Sequence, residues 1–425
     1  MLFNIIVLTP PFLVLFLSNN STVTNPISHI EGGLTMPPRT VLSMMLLIFS
    51  LIVFFIGATE FMLSPILKPL ADAFRTTIDK VTWLVSGYAL AYALAAPIFG
   101  WLSDRINRRK LLLISLLFLF LDGLALTIAP NLEIAMGLRI LGGIASAALI
   151  PTIFALVAEL FPSHKQASAM GIVMLGMTAG IAGGPIVAGV LTELFYWQVP
   201  FLVSAAGCLL LYFLSKKYIP NQINILKTVH QTVKFQFGWQ SNLIRPLIAK
   251  GFWNGTAVSA FILTGEVLRH HYAMGTGTVG ISVSVFGIGL GLGNLSVSIV
   301  KHLNIRDECV LLLAIILLFI TSSAFMLLPL SLLFSLACLM LWGCTLGLAA
   351  PISTSLLAKR AKQDKGKILA ISESLHNLTI LFLLPIATML LSQYGTVVTV
   401  MILGNGFIVA IVLTLKDLLV TTSLS

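Results

Sequence analysis

Apolar residues in this chain come in twelve long, nearly uncharged runs, and no other feature limits its fold so strongly. Runs of about 18 or more such residues are long enough to cross the hydrocarbon core of a bilayer as a helix. Windows of about 19 residues place helices near 41–64, 80–102, 110–129, 132–159, 167–192 and 197–215. After a polar stretch they place six more, near 246–269, 276–300, 309–328, 331–358, 367–391 and 396–415. The composition agrees. Charged residues make up 9% of the chain and apolar ones 58%, whereas soluble domains carry about 25% and about 45–50%. So few charges cannot clothe a water-exposed surface. The expected fold is an all-α membrane protein of twelve spans in two bundles of six.

Four segments follow from the spacing. Residues 1–39 form an N-terminal extension, 40–215 a first six-helix bundle, 216–245 a polar connector and 246–425 a second bundle. The extension fits the pattern poorly. Residues 1–17 are apolar but interrupted by Pro10 and Pro11, and they lack the positive charge of a signal peptide. Asn19 to Met36 reads as a polar linker, so translation starts near Met36 or an extra hydrophobic segment precedes the core.

Lys and Arg are unevenly placed about the runs. With the start of the first helix in the cytoplasm, the inner segments hold twenty of the 25, including Lys216, Lys217, Arg245, Lys250, Lys359 and Arg360. The outer segments hold four (Lys68, Arg75, Lys80 and Arg269), and Arg139 lies within a helix. This bias sets the orientation, with both ends of the core cytoplasmic. It also accounts for the net charge of +10 without nucleic acid. The four cysteines, Cys208, Cys309, Cys338 and Cys344, lie in or beside apolar runs with no metal-ligand spacing. They are expected to be free thiols.

The halves echo each other. A shift of 200 lays Leu141, Gly143, Pro151, Leu156, Ala158 and Lys165 on Leu341, Gly343, Pro351, Leu356, Ala358 and Lys365. A shift of 206 lays Phe55, Ile56 and Glu60 on Phe261, Ile262 and Glu266. Repeats of this kind imply a substrate site between the halves, near the middle of the membrane.

Three motifs carry more specific information. Gly100-Trp-Leu-Ser-Asp104-Arg105-Ile-Asn-Arg108-Arg109-Lys110 joins the second and third helices. Gly100 permits close helix approach. Asp104 can accept from an arginine or from N–H groups at a helix start, and the arginines can bond acids or helix-end carbonyls. The cluster serves either as a latch between bundles or as a positive-inside anchor. Arg139-Ile-Leu-Gly142-Gly143 lies in the fourth helix. The fifth carries Gly176, Gly180, Gly184, Pro185 and Gly189, whose glycines four apart line one face beside a proline kink.

In these motifs the sequence resembles the major facilitator superfamily, over residues 40–416. The loop matches that family's signature between helices two and three, except that Asn107 stands where glycine is usual. Gly293 and Leu295-Ser296 faintly echo the loop in the second half. Arg139 to Gly143 resembles the buried-arginine motif. The glycine–proline run resembles the motif of the antiporter branch, which points to the twelve-helix drug/proton antiporter group. The resemblance implies a single-chain inner-membrane exporter that exchanges protons for a drug-like small molecule by alternating access, without a cofactor. A same-fold exporter of a sugar or siderophore and a facilitator without proton coupling are the alternatives. No nucleotide loop, metal cluster or nucleophile–base pairing points to a membrane enzyme or receptor, and no re-entrant filter points to a channel.

Ionisable residues inside a membrane cost roughly 2.5–3.5 kcal/mol each and are functional by default. Glu60 is the first choice of proton carrier, the alternative being an interfacial pair with Lys68. Arg139 must be buried and paired, whether it relays protons or only holds helices. Asp122 and Glu266 are further coupling candidates, although Glu266 lies three residues from Arg269. Glu373, His376 and Asn377 share one helix face six residues beyond Lys367, as a substrate path or a rim network. His270 and His271 read as a solvated outer pair.

Overall fold

The computed structural model describes residues 39–102, 106–220, 241–361 and 365–422. The extension to residue 38, Asp104, Arg105 and most of the connector therefore lie outside the described residues. The first six spans are built from α1 (Arg39–Phe61), α2 (Leu63–Ala73), α3 (Ile78–Val81), α4 (Trp83–Leu102), α5 (Arg108–Thr127), α6 (Leu132–Leu160), α7 (Ser163–Leu194) and α8 (Val199–Tyr218). The second six are α9 (Ser241–Ile262), α10 (Thr264–Tyr272), α11 (Thr276–His302), α12 (Asp307–Leu327), α13 (Leu332–Arg360), α14 (Lys365–Tyr394) and α15 (Thr396–Thr422). The helix after α1 runs on as α2 well beyond the expected end at residue 64.

Eleven spans among the described residues are long and apolar enough to cross a membrane. The remaining expected span, the seventh, formed by α9 with α10, is broken at Leu263 and carries Arg245 and Lys250. Its helix begins at Ser241, ahead of the apolar run, because its first turns are polar. Lys250, counted among the inner charges, sits inside this helix, as the expected span 246–269 implied.

Local chemistry fixes the helix ends. Asn107 accepts from the Lys110 N–H (3.1 Å) at the start of α5, so the residue that replaces the usual glycine acts as an N-cap. Asn131 does the same for α6 through Ile134 (2.9 Å), and Ser331 for α13 through Phe334 (3.1 Å). Asn131 and Ser331 are 200 residues apart, as are Pro151 and Pro351, and Pro185 and Pro385, which lie within the matching helices. The 200-residue repeat thus extends from the fourth helix of each half into the fifth.

Within the first half α1 packs on α7, α4 on α6, and α5 on α6 and α8. The second half repeats these pairings in α9–α14, α11–α13, and α12 with α13 and α15. Across the halves α7 meets α11, α4 meets α14, and α2 meets α10 and α11. Aromatic rings seal this junction. Phe61 lies 5.0 Å from Phe261, which lies 4.4 Å from Phe286, itself 5.7 Å from Trp342. Ser64 and Thr264 face each other at 3.1 Å. These pairs put the first and seventh spans in register at a shift of 200. The shift of 206 is therefore not the structural one, and Glu266 is not the counterpart of Glu60.

Candidate functional site

Arg139 of α6 is enclosed, with 1% of its side chain exposed, and its Nη1 donates to Oδ2 of Asp122 on α5 at 2.7 Å. The ring of Tyr88 on α4 lies 4.9 Å from the guanidinium. An unpaired charge so enclosed would be strongly destabilising, so the pair and the ring make the arginine tolerable. The two glycines that follow Arg139 have a steric reason. A Cβ on Gly142 would strike the Asp122 carboxylate, and one on Gly143 would strike the backbone of Tyr88. Arginine, carboxylate and ring meet because both positions lack a side chain.

Glu60 occupies the last turn of α1, and the glycines of α7 set the position of that helix. A Cβ on Gly176 or Gly180 would collide with the carbonyl of Ser50 or Phe54, and one on Gly184 would lie 2.7 Å from Cα of Ala58. Gly189 faces the other half, where a Cβ would come within 2.6 Å of the Thr276 carbonyl. The Pro185 carbonyl is likewise met closely by Gly280. One glycine–proline run therefore joins α7 to α1 over most of its length and to α11 at its end.

Glu60 is partly accessible, and among the described residues it forms no hydrogen bond or ion pair. Lys68 pairs with Asp72 instead (3.1 Å). Arg139 and Glu373 are both within electrostatic range of Glu60, and Tyr92 of α4 senses both Glu60 and Glu373. Carboxyl groups from opposite halves thus share one interior region. Glu373 keeps 42% of its side chain exposed and meets the Lys250 ammonium at 3.4 Å. Lys250 is 3% exposed and also donates to Thr354 at 3.0 Å. His376 and Asn377 are buried, and Asn377 donates to the Glu373 carbonyl at 3.0 Å. The helix face seen in the sequence is present, and its partner Lys250 comes from another helix.

The halves are tied firmly at one end. Ser64 donates to the Phe261 carbonyl (3.2 Å) and accepts from the Gly265 N–H (3.2 Å). Arg269 donates to the Pro65 carbonyl and to Glu266, each at 3.0 Å. The Glu193 carboxylate accepts from the Gly277 N–H at the start of α11. Glu266 is thus engaged at this closure by Arg269. Nearer the middle, Ser374 donates to the Ala93 carbonyl (2.8 Å) and Asn294 to Thr178 (3.1 Å).

At the opposite end Arg108 pairs with Glu159, and Arg109 donates to the Lys216 carbonyl at 2.5 Å. The second half holds the same helix ends together with the charges exchanged. Lys359 meets Asp307 at 2.8 Å, and Arg360 meets Glu308 at 2.9 Å and Asp417 at 2.7 Å. Positions 108 and 159 carry a base and an acid, while 308 and 359 carry an acid and a base. A search for repeated residues misses such an inversion. Gly100 lies in the last turn of α4.

Known proteins agree with this architecture. Residues 49–378 match the model of the Major Facilitator Superfamily. The chain is 34% identical over 173 residues to an uncharacterised transporter of that type, YceJ of Bacillus subtilis (strain 168), covering 41% of this chain and 44% of that one. It is 34% identical over 177 residues to the multidrug efflux pump LfrA of Mycolicibacterium smegmatis, covering 41% and 35%. These matches span less than half the length of the relatives. A crystal structure of a D-xylose–proton symporter superimposes with a TM-score of 0.74 at 14% identity, over 88% of this chain and 97% of that one. That likeness is one of fold. This multi-pass membrane protein belongs to the Major Facilitator Superfamily.

Proposed function

We propose that the protein exports small organic molecules in exchange for protons, alternating between states open to either side of the membrane. The observation that carries this reading is Glu60. It is a partly accessible carboxyl group inside a span that forms no ion pair among the described residues and lies within electrostatic range of Arg139 and Glu373. A carboxylate held in such surroundings without a partner is costly, so a proton or a positively charged solute satisfies it, and the two compete. Competition for one group is what couples opposite fluxes. Arg139, held in place by Asp122, keeps a guanidinium within electrostatic range of it.

In this reading the Arg108 end faces the cytoplasm, as the loop charges require, and the hydrogen bonds around Ser64 close the outer side. Gly100, Asp104, Arg105, Arg108 and Arg109 form the inner gate. Glu373, His376 and Asn377 line the substrate path. Similarity to the efflux pump LfrA favours drug-like substrates, while the fold shared with a sugar symporter is compatible with a specific metabolite. The test is transport by the purified protein in sealed vesicles, over a panel of cationic drugs, sugars and siderophores. A pH gradient should drive accumulation of at least one cationic drug. Uptake of every responsive solute that ignores the gradient would point to a facilitator.

A further inference from the structure

Lys250 carries an enclosed ammonium within a span of the second half, and coupling at Glu60 gives it no task. Its ammonium is held by Thr354 of α13 at 3.0 Å and Glu373 of α14 at 3.4 Å. The partners have unlike surroundings. Lys250 is 3% exposed and Glu373 is 42% exposed, so a solute can reach the carboxylate but not the ammonium. The contact is also long, since well-formed charge-assisted pairs lie at about 2.7–2.9 Å. Oε2 of Glu373 has no hydrogen bond or ion pair among the described residues. On the same helix face, Nδ1 of His376 is buried without a partner. These features describe a cation site, with a spare carboxylate oxygen and an idle imidazole nitrogen, that an enclosed lysine occupies from behind.

We propose that Lys250 and Glu373 form a second exchange site, in which the positively charged group of an organic cation takes Glu373 from Lys250. The inference rests on the reading of the chain as a proton-coupled exporter. The exchange balances in charge and atoms. The contact between Lys250 Nζ and Glu373 breaks, one between the solute's cationic group and Glu373 forms, and Lys250 gives one proton to water. Loss of that proton follows from enclosure, because an ammonium left without its carboxylate is strongly disfavoured there. The neutral amine keeps an N–H for Thr354. Reprotonation of Lys250 from the other side then returns it to Glu373 and expels the solute. The groups facing the pair are Thr354 of α13, His376 of α14, Tyr92 of α4 and Glu60 of α1. Each half thereby contributes one exchangeable proton.

The test is proton release when ethidium binds the purified full chain in weakly buffered detergent, read with a pH indicator and normalised to bound ethidium. Glu60→Gln should release about half as many protons as wild type. Lys250→Arg in that background should release none, because arginine keeps the ion pair but holds its proton. Lys250→Met, which empties the carboxylate, should bind ethidium several-fold more tightly. Proton release by Glu60→Gln/Lys250→Arg equal to that of Glu60→Gln would overturn the proposal. So would Lys250→Met binding no tighter than wild type. If Glu60→Gln releases as many protons as wild type while Lys250→Arg abolishes release, the role of Glu60 falls and that of Lys250 stands. No release from wild type removes both.

Discussion

Replacing Asp122 by leucine while Arg139 remains leaves an enclosed guanidinium without its carboxylate. Both side chains are at most 2% exposed and share one hydrogen bond of 2.7 Å, so water cannot take the missing partner's place. Breaking a buried pair from one side costs about 3–5 kcal/mol, about a hundred-fold to a few thousand-fold in the folding equilibrium. Arg139→Met exposes the converse problem, since Asp122 Oδ1 already lacks a partner. Replacing both by apolar groups removes both buried charges, and such exchanges are often close to neutral. The double variant should therefore be more stable than either single one, with a coupling energy of about 3 kcal/mol or more. Interhelical hydrogen bonds in membranes average only about 0.6 kcal/mol, so the two cases are readily separated. Reversible unfolding in mixed micelles over increasing dodecyl sulfate measures all three variants. Single-variant losses below about 1 kcal/mol, or losses that simply add, would show that the pair does not hold α5 to α6.

Further expectations follow from other contacts. In a background free of Cys208, Cys309, Cys338 and Cys344, Lys217→Cys should react with an impermeant maleimide only from the cytoplasmic side and His270→Cys only from outside. Labelling of both from one side would contradict the twelve-span path. Gly180→Leu should drive a side chain into the Phe54 carbonyl, lowering thermal stability by roughly 1–3 kcal/mol for overpacking and uncoupling transport. An unaltered melting curve would deny the close α1–α7 contact. Arg108→Glu should slow transport through repulsion with Glu159, and adding Glu159→Lys should restore it by reproducing the polarity of the Asp307–Lys359 pair. Failure of that rescue, with both proteins folded, would mean that the position requires arginine itself.

The sequence showed helices well where one face meets lipid and poorly where a face lines the interior. Windows placed most spans within a few residues of their ends, since lipid-facing helices are apolar throughout. The seventh begins at Ser241, five residues ahead of the expected 246, because Ser241, Asn242 and Arg245 lower the hydropathy of its first turn; Lys250 lies within both the expected and the observed helix. Asp122 and Arg139 could each be named as an unusual residue in a membrane. Their pairing could not, because it depends on how α5 and α6 pack and on two glycines that make room. Glu373, His376 and Asn377 were legible as one face because helical spacing brings them together, whereas their lysine comes from a helix more than a hundred residues away. The 200-residue repeat was visible in six identities. Its continuation at Ser64 and Thr264, in the caps and in the inverted ion pairs needed geometry, since none of these preserves residue type.

The most direct measurement concerns coupling at Glu60. Glu60→Gln presents a permanently neutral side chain of nearly the same shape, so it takes away the proton exchange proposed for Glu60 while keeping the interior packing. Reconstituted in vesicles, the variant should fail to concentrate an exported solute when a pH gradient is imposed. Downhill exchange of labelled for unlabelled solute should continue, since exchange requires no net proton movement. Uphill transport by Glu60→Gln at the wild-type rate, driven by the pH gradient, would contradict the account.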